Sequence, residues 1–123
     1  MNKLDFSTFQ QRLESNTFTL VFFEGKNCEV CHALLPKIQA LLAIEFPQTP
    51  LEIVNTDENP DIAGQFIVFS LPLMIVFKQG REVMRIGGRN PIYQIREQIK
   101  QVIVAQHTDD GNPYESLFSG LGE

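Results

Sequence analysis

The stretch Thr17-Phe18-Thr19-Leu20-Val21-Phe22-Phe23 is built from β-branched and aromatic residues and shows no polar alternation after Thr19. A run of that length and make-up reads as a strand buried on both faces. A doubly buried strand needs cover on each side, which points to helices packed on both faces of a sheet. The rest of the chain supplies that cover. Phe6, Phe9 and Leu13 share one face of a short helix that Asp5 or Ser7 can cap and that ends near Ser15-Asn16. Leu34, Leu35, Ile38, Leu41, Leu42 and Phe46 recur at helical spacing, with Pro36 inside the pattern, where a kink is expected.

Leu51 to Thr56 reads as a second strand, and Asn59-Pro60 opens a short helix through Phe66. Leu73 to Phe77 is a third strand, turned by Gln79-Gly80 into a fourth, Glu82 to Ile86, which Gly87-Gly88 ends. Asn90-Pro91 has the form of a capping side chain followed by proline at the first helical position. The helix it opens places Ile92, Ile95, Ile99, Val102 and Ile103 on one stripe. Strands alternating with helices predict a largely parallel sheet, with an antiparallel edge at the tight hairpin. The fold class is α/β: a central mixed sheet of four to five strands flanked by helices on both faces.

The chain of 123 residues, 43% hydrophobic and 20% charged, has the profile of one globular domain able to bury a core without disulfide staples. Its composition shifts at the end, dividing a domain over 1–106 from a polar tail over 107–123. Within the tail, Tyr114, Leu117, Phe118 and Leu121 fall at amphipathic spacing, so it reads either as disordered or as a short docking helix. A net charge of -5 with no basic cluster argues against nucleic acid and anionic membrane as partners. Apolar stretches such as Leu71 to Phe77 are too short to span a bilayer, and the N-terminus lacks the form of a signal peptide. The expected location is therefore the cytoplasm.

The two cysteines, Cys28 and Cys31, stand three apart where the buried strand gives way to the long helix. A thiol is nucleophilic only as thiolate. The first turn of a helix offers unpaired N–H groups and about half a positive charge, which favour an anion there. Cys28 is placed to attack and Cys31, one turn on, to resolve a mixed disulfide. In a reducing compartment such spacing is catalytic or metal-binding rather than structural. The string Cys28-Glu29-Val30-Cys31-His32 also satisfies the pattern of c-type haem attachment, but it starts a core-facing helix rather than an accessible loop. Zinc needs about four ligands, and only His32 and the distant His107 could add to the cysteines.

From about Asp5 to Val104 the chain resembles the thioredoxin family. The resemblance is carried by Cys28-Glu29-Val30-Cys31 after Leu20-Val21-Phe22-Phe23, by Pro36, and by Asn55-Thr56-Asp57-Glu58-Asn59-Pro60. It continues through the segment Leu71-Pro72-Leu73-Met74-Ile75-Val76-Phe77-Lys78-Gln79-Gly80 and Gly87. It implies a thioredoxin-like fold, a cis Pro72 packed against the cysteines, and substrate contacts at Asn27, Leu71, Pro72 and Gly87. The Leu71 backbone could pair with an extended substrate strand, and Phe69-Ser70-Leu71 could add an apolar rim. The implied activity is reversible dithiol/disulfide exchange with protein substrates, mostly in the reducing direction. No cofactor or metal is required, and an upstream reductase supplies electrons. The alternative is a non-catalytic binding or scaffold module with a regulatory or vestigial cysteine pair.

Departures from the family pattern shape the chemistry. Asn27 stands where the family has tryptophan, and Glu29-Val30 replaces Gly-Pro between the cysteines. Phe22 and Ile53 stand where the family has a buried aspartate and a nearby lysine. Removing one of such a pair would strand a charge at roughly 3–5 kcal/mol, whereas replacing both is often neutral. The change predicts a drier core and removes the usual proton acceptor for Cys31, leaving Glu24, His32 or water to serve.

Overall fold

The structure, a computed structural model, describes the backbone of residues 5–111 and the side chains of residues 5–105. In chain order the elements are α1 (Phe6–Glu14), β1 (Phe18–Glu24), α2 (Glu29–Glu45), β2 (Leu51–Asn55), α3 (Pro60–Gln65), β3 (Leu73–Lys78), β4 (Arg81–Gly87) and α4 (Ile92–Gly111). Asp5 is the cap of α1, its carboxylate accepting from the Thr8 N–H at 3.2 Å, and the helix buries Phe9 and Leu13. Pro36 lies inside α2.

The sheet order is β2-β1-β3-β4. Strand β1 is buried through Phe23, and its alternation divides the core. Phe18, Leu20 and Phe22 join Ile38, Leu42, Ile95 and Ile99 from α2 and α4 on one face. Val21 and Phe23 join Phe9, Leu13 and Ile62 from α1 and α3 on the other. There the Phe66 ring stands 5.2 to 6.3 Å from those of Phe6, Phe9, Phe23 and Phe77. The helices therefore cover both faces, as the doubly buried strand demands.

The expectation of a largely parallel sheet is corrected. Only β1 and β2 run parallel, whereas β1–β3 and β3–β4 are antiparallel. The reason is length. At 1.5 Å per residue, α2 rises about 25 Å and returns the chain to the starting end of β1. The six residues of α3 rise only about 9 Å. The chain thus enters β3 from the end where β1 finishes, pairing Leu73 with Phe23.

At the closed end of the β3–β4 hairpin, Gln79 and Gly80 both have positive φ, 50° and 85°. That is the twist-matched form of a two-residue hairpin turn. The turn is pinned to α1, because Gln10 Nε2 donates to the Gly80 carbonyl at 3.0 Å. A second correction concerns α4. The Pro91 carbonyl accepts the first helical N–H groups, from Gln94 and Ile95. Asn90 is not the cap. Its side-chain amide instead donates to the Gly87 carbonyl at 2.9 Å. Helix α4 continues past position 106 to Gly111, and the amphipathic spacing at Tyr114 to Leu121 lies outside the described residues. Among the described residues no helix is long and apolar enough to cross a membrane.

Candidate functional site

Cys28 is the cap of α2: its backbone is extended, and the helix begins at the next residue. A capping position normally holds a side chain that accepts from the first-turn amides. Here the acceptor is sulfur, with the Cys31 N–H 3.1 Å from Cys28 Sγ, while the Cys28 carbonyl accepts from His32 N–H. The two sulfurs are bonded, at 2.10 Å, with Cα atoms 5.2 Å apart. Cys28 is partly exposed and Cys31 is fully buried among the α2 and α4 core residues. One sulfur therefore faces an incoming molecule and the other waits behind it. This asymmetry suits sequential attack and resolution.

Gly25, Lys26, Asn27, Cys28, Asp57, Leu71 and Arg89 line one groove. Two loops build it. Asn55 Oδ1 accepts from the N–H groups of Asp57 and Glu58, which curls the β2–α3 connection. Asp57 then accepts from the Lys26 N–H at 2.6 Å, tying that connection to the segment before Cys28. Gly25 is buried beneath the Leu71 side chain, which an added Cβ would meet at 2.7 Å. Of Phe69, Ser70 and Leu71, only Leu71 lines the groove, and Phe69 is 91% exposed.

The Leu71-Pro72 bond is cis. Pro72 is buried, and its carbonyl accepts from the Gly88 N–H at 2.9 Å. An added Cβ on Gly88 would lie 2.2 Å from Pro72 Cγ and 3.1 Å from Leu34 Cδ2. Gly88 is thus the glycine that the proline loop requires. Gly87 is exposed, lies outside the groove, and an added Cβ there meets only Asn90 Nδ2 at 3.9 Å. The sequence pattern points to Gly87 as a substrate contact and gives Gly88 only as part of the end of the fourth strand. The adjacent glycine pair was the available signal, but burial distinguishes its members. Arg89 was missed. Its guanidinium reaches the Leu71 carbonyl at 3.4 Å, an approach that depends on hairpin register and leaves no mark in local sequence.

Glu24 ends β1 half-buried, its carbonyl held by the Thr56 N–H and hydroxyl, while His32 is exposed on α2. Phe22 is fully buried in the same cluster as Cys31. Its register partner Ile53 is 39% exposed, because β2 is the sheet's edge. The drier core therefore holds at position 22 and not at 53. No cluster of three or more histidine, cysteine or acidic residues suited to a metal ion occurs among the described residues.

A bonded C-x-x-C pair capping the long helix of this α/β sheet, faced by a cis-proline loop, defines a thiol–disulfide oxidoreductase. Comparison with known proteins makes the class specific. The thioredoxin family model matches residues 1–101. The chain is 30% identical over 97 residues to a thioredoxin of Alicyclobacillus acidocaldarius, covering 79% of this chain and 92% of that one. It is also 30% identical over 90 residues to the thioredoxin-like protein YdfQ of Bacillus subtilis, covering 73% and 80%. The X-ray structure of Fasciola hepatica thioredoxin superposes with a TM-score of 0.70 at 29% identity, covering 82% of this chain and 98% of that one. The chain belongs to the thioredoxin family.

Proposed function

We propose that this chain reduces disulfides in protein substrates, with Cys28 as the attacking nucleophile and Cys31 as the resolving thiol. The observation that carries the reading is the Cys31 N–H directed at Cys28 Sγ at the tip of α2. In the reduced protein the same donor and the helix dipole stabilise a Cys28 thiolate. That thiolate attacks one sulfur of the substrate disulfide, forming a mixed disulfide and releasing the first substrate thiolate. Cys31, having lost its proton, attacks Cys28 Sγ and releases the second. The substrate gains two electrons and two protons, and the Cys28–Cys31 bond stores the oxidation until an upstream dithiol reductase removes it.

The groove supplies the substrate platform. Leu71 presents a backbone edge for an extended segment, Pro72 holds that edge in place, and Asn27 lines the approach to Cys28. Gly87, exposed at the end of β4, is a further proposed contact of this platform, and its neighbour Gly88 lets the Pro72 loop close. The proposed working compartment is the reducing cytoplasm, where the dithiol is regenerated.

Reduction of insulin with dithiothreitol as the electron source tests the reading. Turnover by the native chain and its loss to background in Cys28→Ser are expected. Partner binding without turnover, unaffected by Cys28→Ser, would establish a scaffold module instead.

A further inference from the structure

We propose that this protein prefers substrates bearing an acidic residue beside the attacked cysteine, with Lys37 and Arg89 as the specificity-determining cations. This rests on the oxidoreductase reading above. A second groove, of about 370 Å³, lies between the first half of α2 and the β4–α4 connection. Apolar Val30, Leu34 and Ile92 line it together with Lys37 and Arg89, and among the described residues no carboxylate does. The chain as a whole has a net charge of -5, whereas the charged residues described in this groove are both cations. Both cations are exposed, and among the described residues neither is in an ion pair.

Arg89 joins this groove to the one that contains Cys28 and Leu71, since it lines both. Among the described residues, the one hydrogen bond of its side chain is the long one to the Leu71 carbonyl, at 3.4 Å. A substrate strand pairing along Leu71 competes for that carbonyl and frees the guanidinium. A substrate carboxylate then offers Arg89 a bidentate acceptor stronger than the carbonyl it gives up. Lys37 adds a second positive charge on the same side. The opposite side of Cys28 carries Asp57, already engaged by the Lys26 N–H. Glu29 is exposed in the first turn of α2, so the acidic residue belongs beyond it, toward Lys37 and Arg89. Exposed charge pairs are individually weak, so two cations should give a preference of roughly threefold to tenfold.

Three disulfide-bonded peptides of equal length, with acidic, neutral or basic residues flanking the cysteine, test this with the full chain and dithiothreitol as reductant. The acidic peptide is expected to exceed the basic one in kcat/KM by about threefold to tenfold, mainly through KM. The margin should shrink as salt rises. The Lys37→Glu/Arg89→Glu double variant should invert the order, which a purely structural role for either residue would not do. Equal kcat/KM for all three peptides, or an order unchanged in the variant, overturns the proposal and leaves the oxidoreductase reading intact. Absence of turnover on every peptide overturns both.

Discussion

At position 88 an added methyl group would penetrate Pro72 and press on Leu34, while at position 87 it would meet only the Asn90 amide at ordinary contact distance. Neither glycine has positive φ, so the difference is one of space rather than backbone conformation. Gly88→Ala is expected to cost about 1–3 kcal/mol, as overpacking of a well-filled site does. Gly87→Ala should stay within about 0.5 kcal/mol. Urea unfolding of the two variants measures the contrast, and equal midpoints would show that the proline loop yields freely. The cysteines were legible from residue type and spacing because their chemistry is local, and the cis Pro72 from the family resemblance. Gly88 and Arg89 were not, because each acquires its role from a chain segment about seventeen residues away in sequence.

Elements were read well where composition and period agree. The β-branched strand, the two long helices and the hairpin all form where expected, with ends shifted by a residue or so except at α4, which runs on to Gly111. The cap of α4 was misread because Asn90-Pro91 has the right residue types, but its amide is drawn to the Gly87 carbonyl instead. Helix α1 is fastened by Asp5, and α2 is fastened to α4 by the Glu45–Arg96 pair at 2.7 Å. The Ser7 hydroxyl, then the Thr8 N–H, hold the Asp5 carboxyl below the usual aspartate value. Hydrogen bonding from Arg96 does the same for Glu45. Because both values are lower in the folded state, their stabilisation is complete above the unfolded-state values and lost as pH falls through the folded ones. The Asp5→Ala/Glu45→Gln variant should have a lower urea midpoint than the native chain at pH 7. The gap should narrow progressively as pH falls below the ordinary aspartate and glutamate values, because the folded-state carboxyls protonate only there. A gap that stays undiminished as the pH is lowered through that range would show that the lost stability is not electrostatic.

For the whole molecule, sequence established the α/β class and cover on both faces but not the sense of β3. That depends on whether α3 is long enough to recross the sheet, a comparison of lengths rather than of residue preferences. The assembled core also bears on rate. Cys31 is fully buried in a cluster that includes Phe22, where the family pattern has a carboxylate. The resolving step should therefore quicken steadily between pH 6 and 9 as solvent takes over proton removal. Stopped-flow reduction of a model disulfide reads this directly, and a flat profile would require a dedicated base. The hairpin connects such chemistry to a remote place. Pro72 precedes β3 and Gly88 follows β4, so they meet at its open end, while the Gln79-Gly80 bend sits against α1 at the other, about 20 Å off by strand rise. Inserting a single residue in that bend would slide β4 by one notch, present the wrong side chain to the proline, and switch off catalysis from the far pole without touching either sulfur.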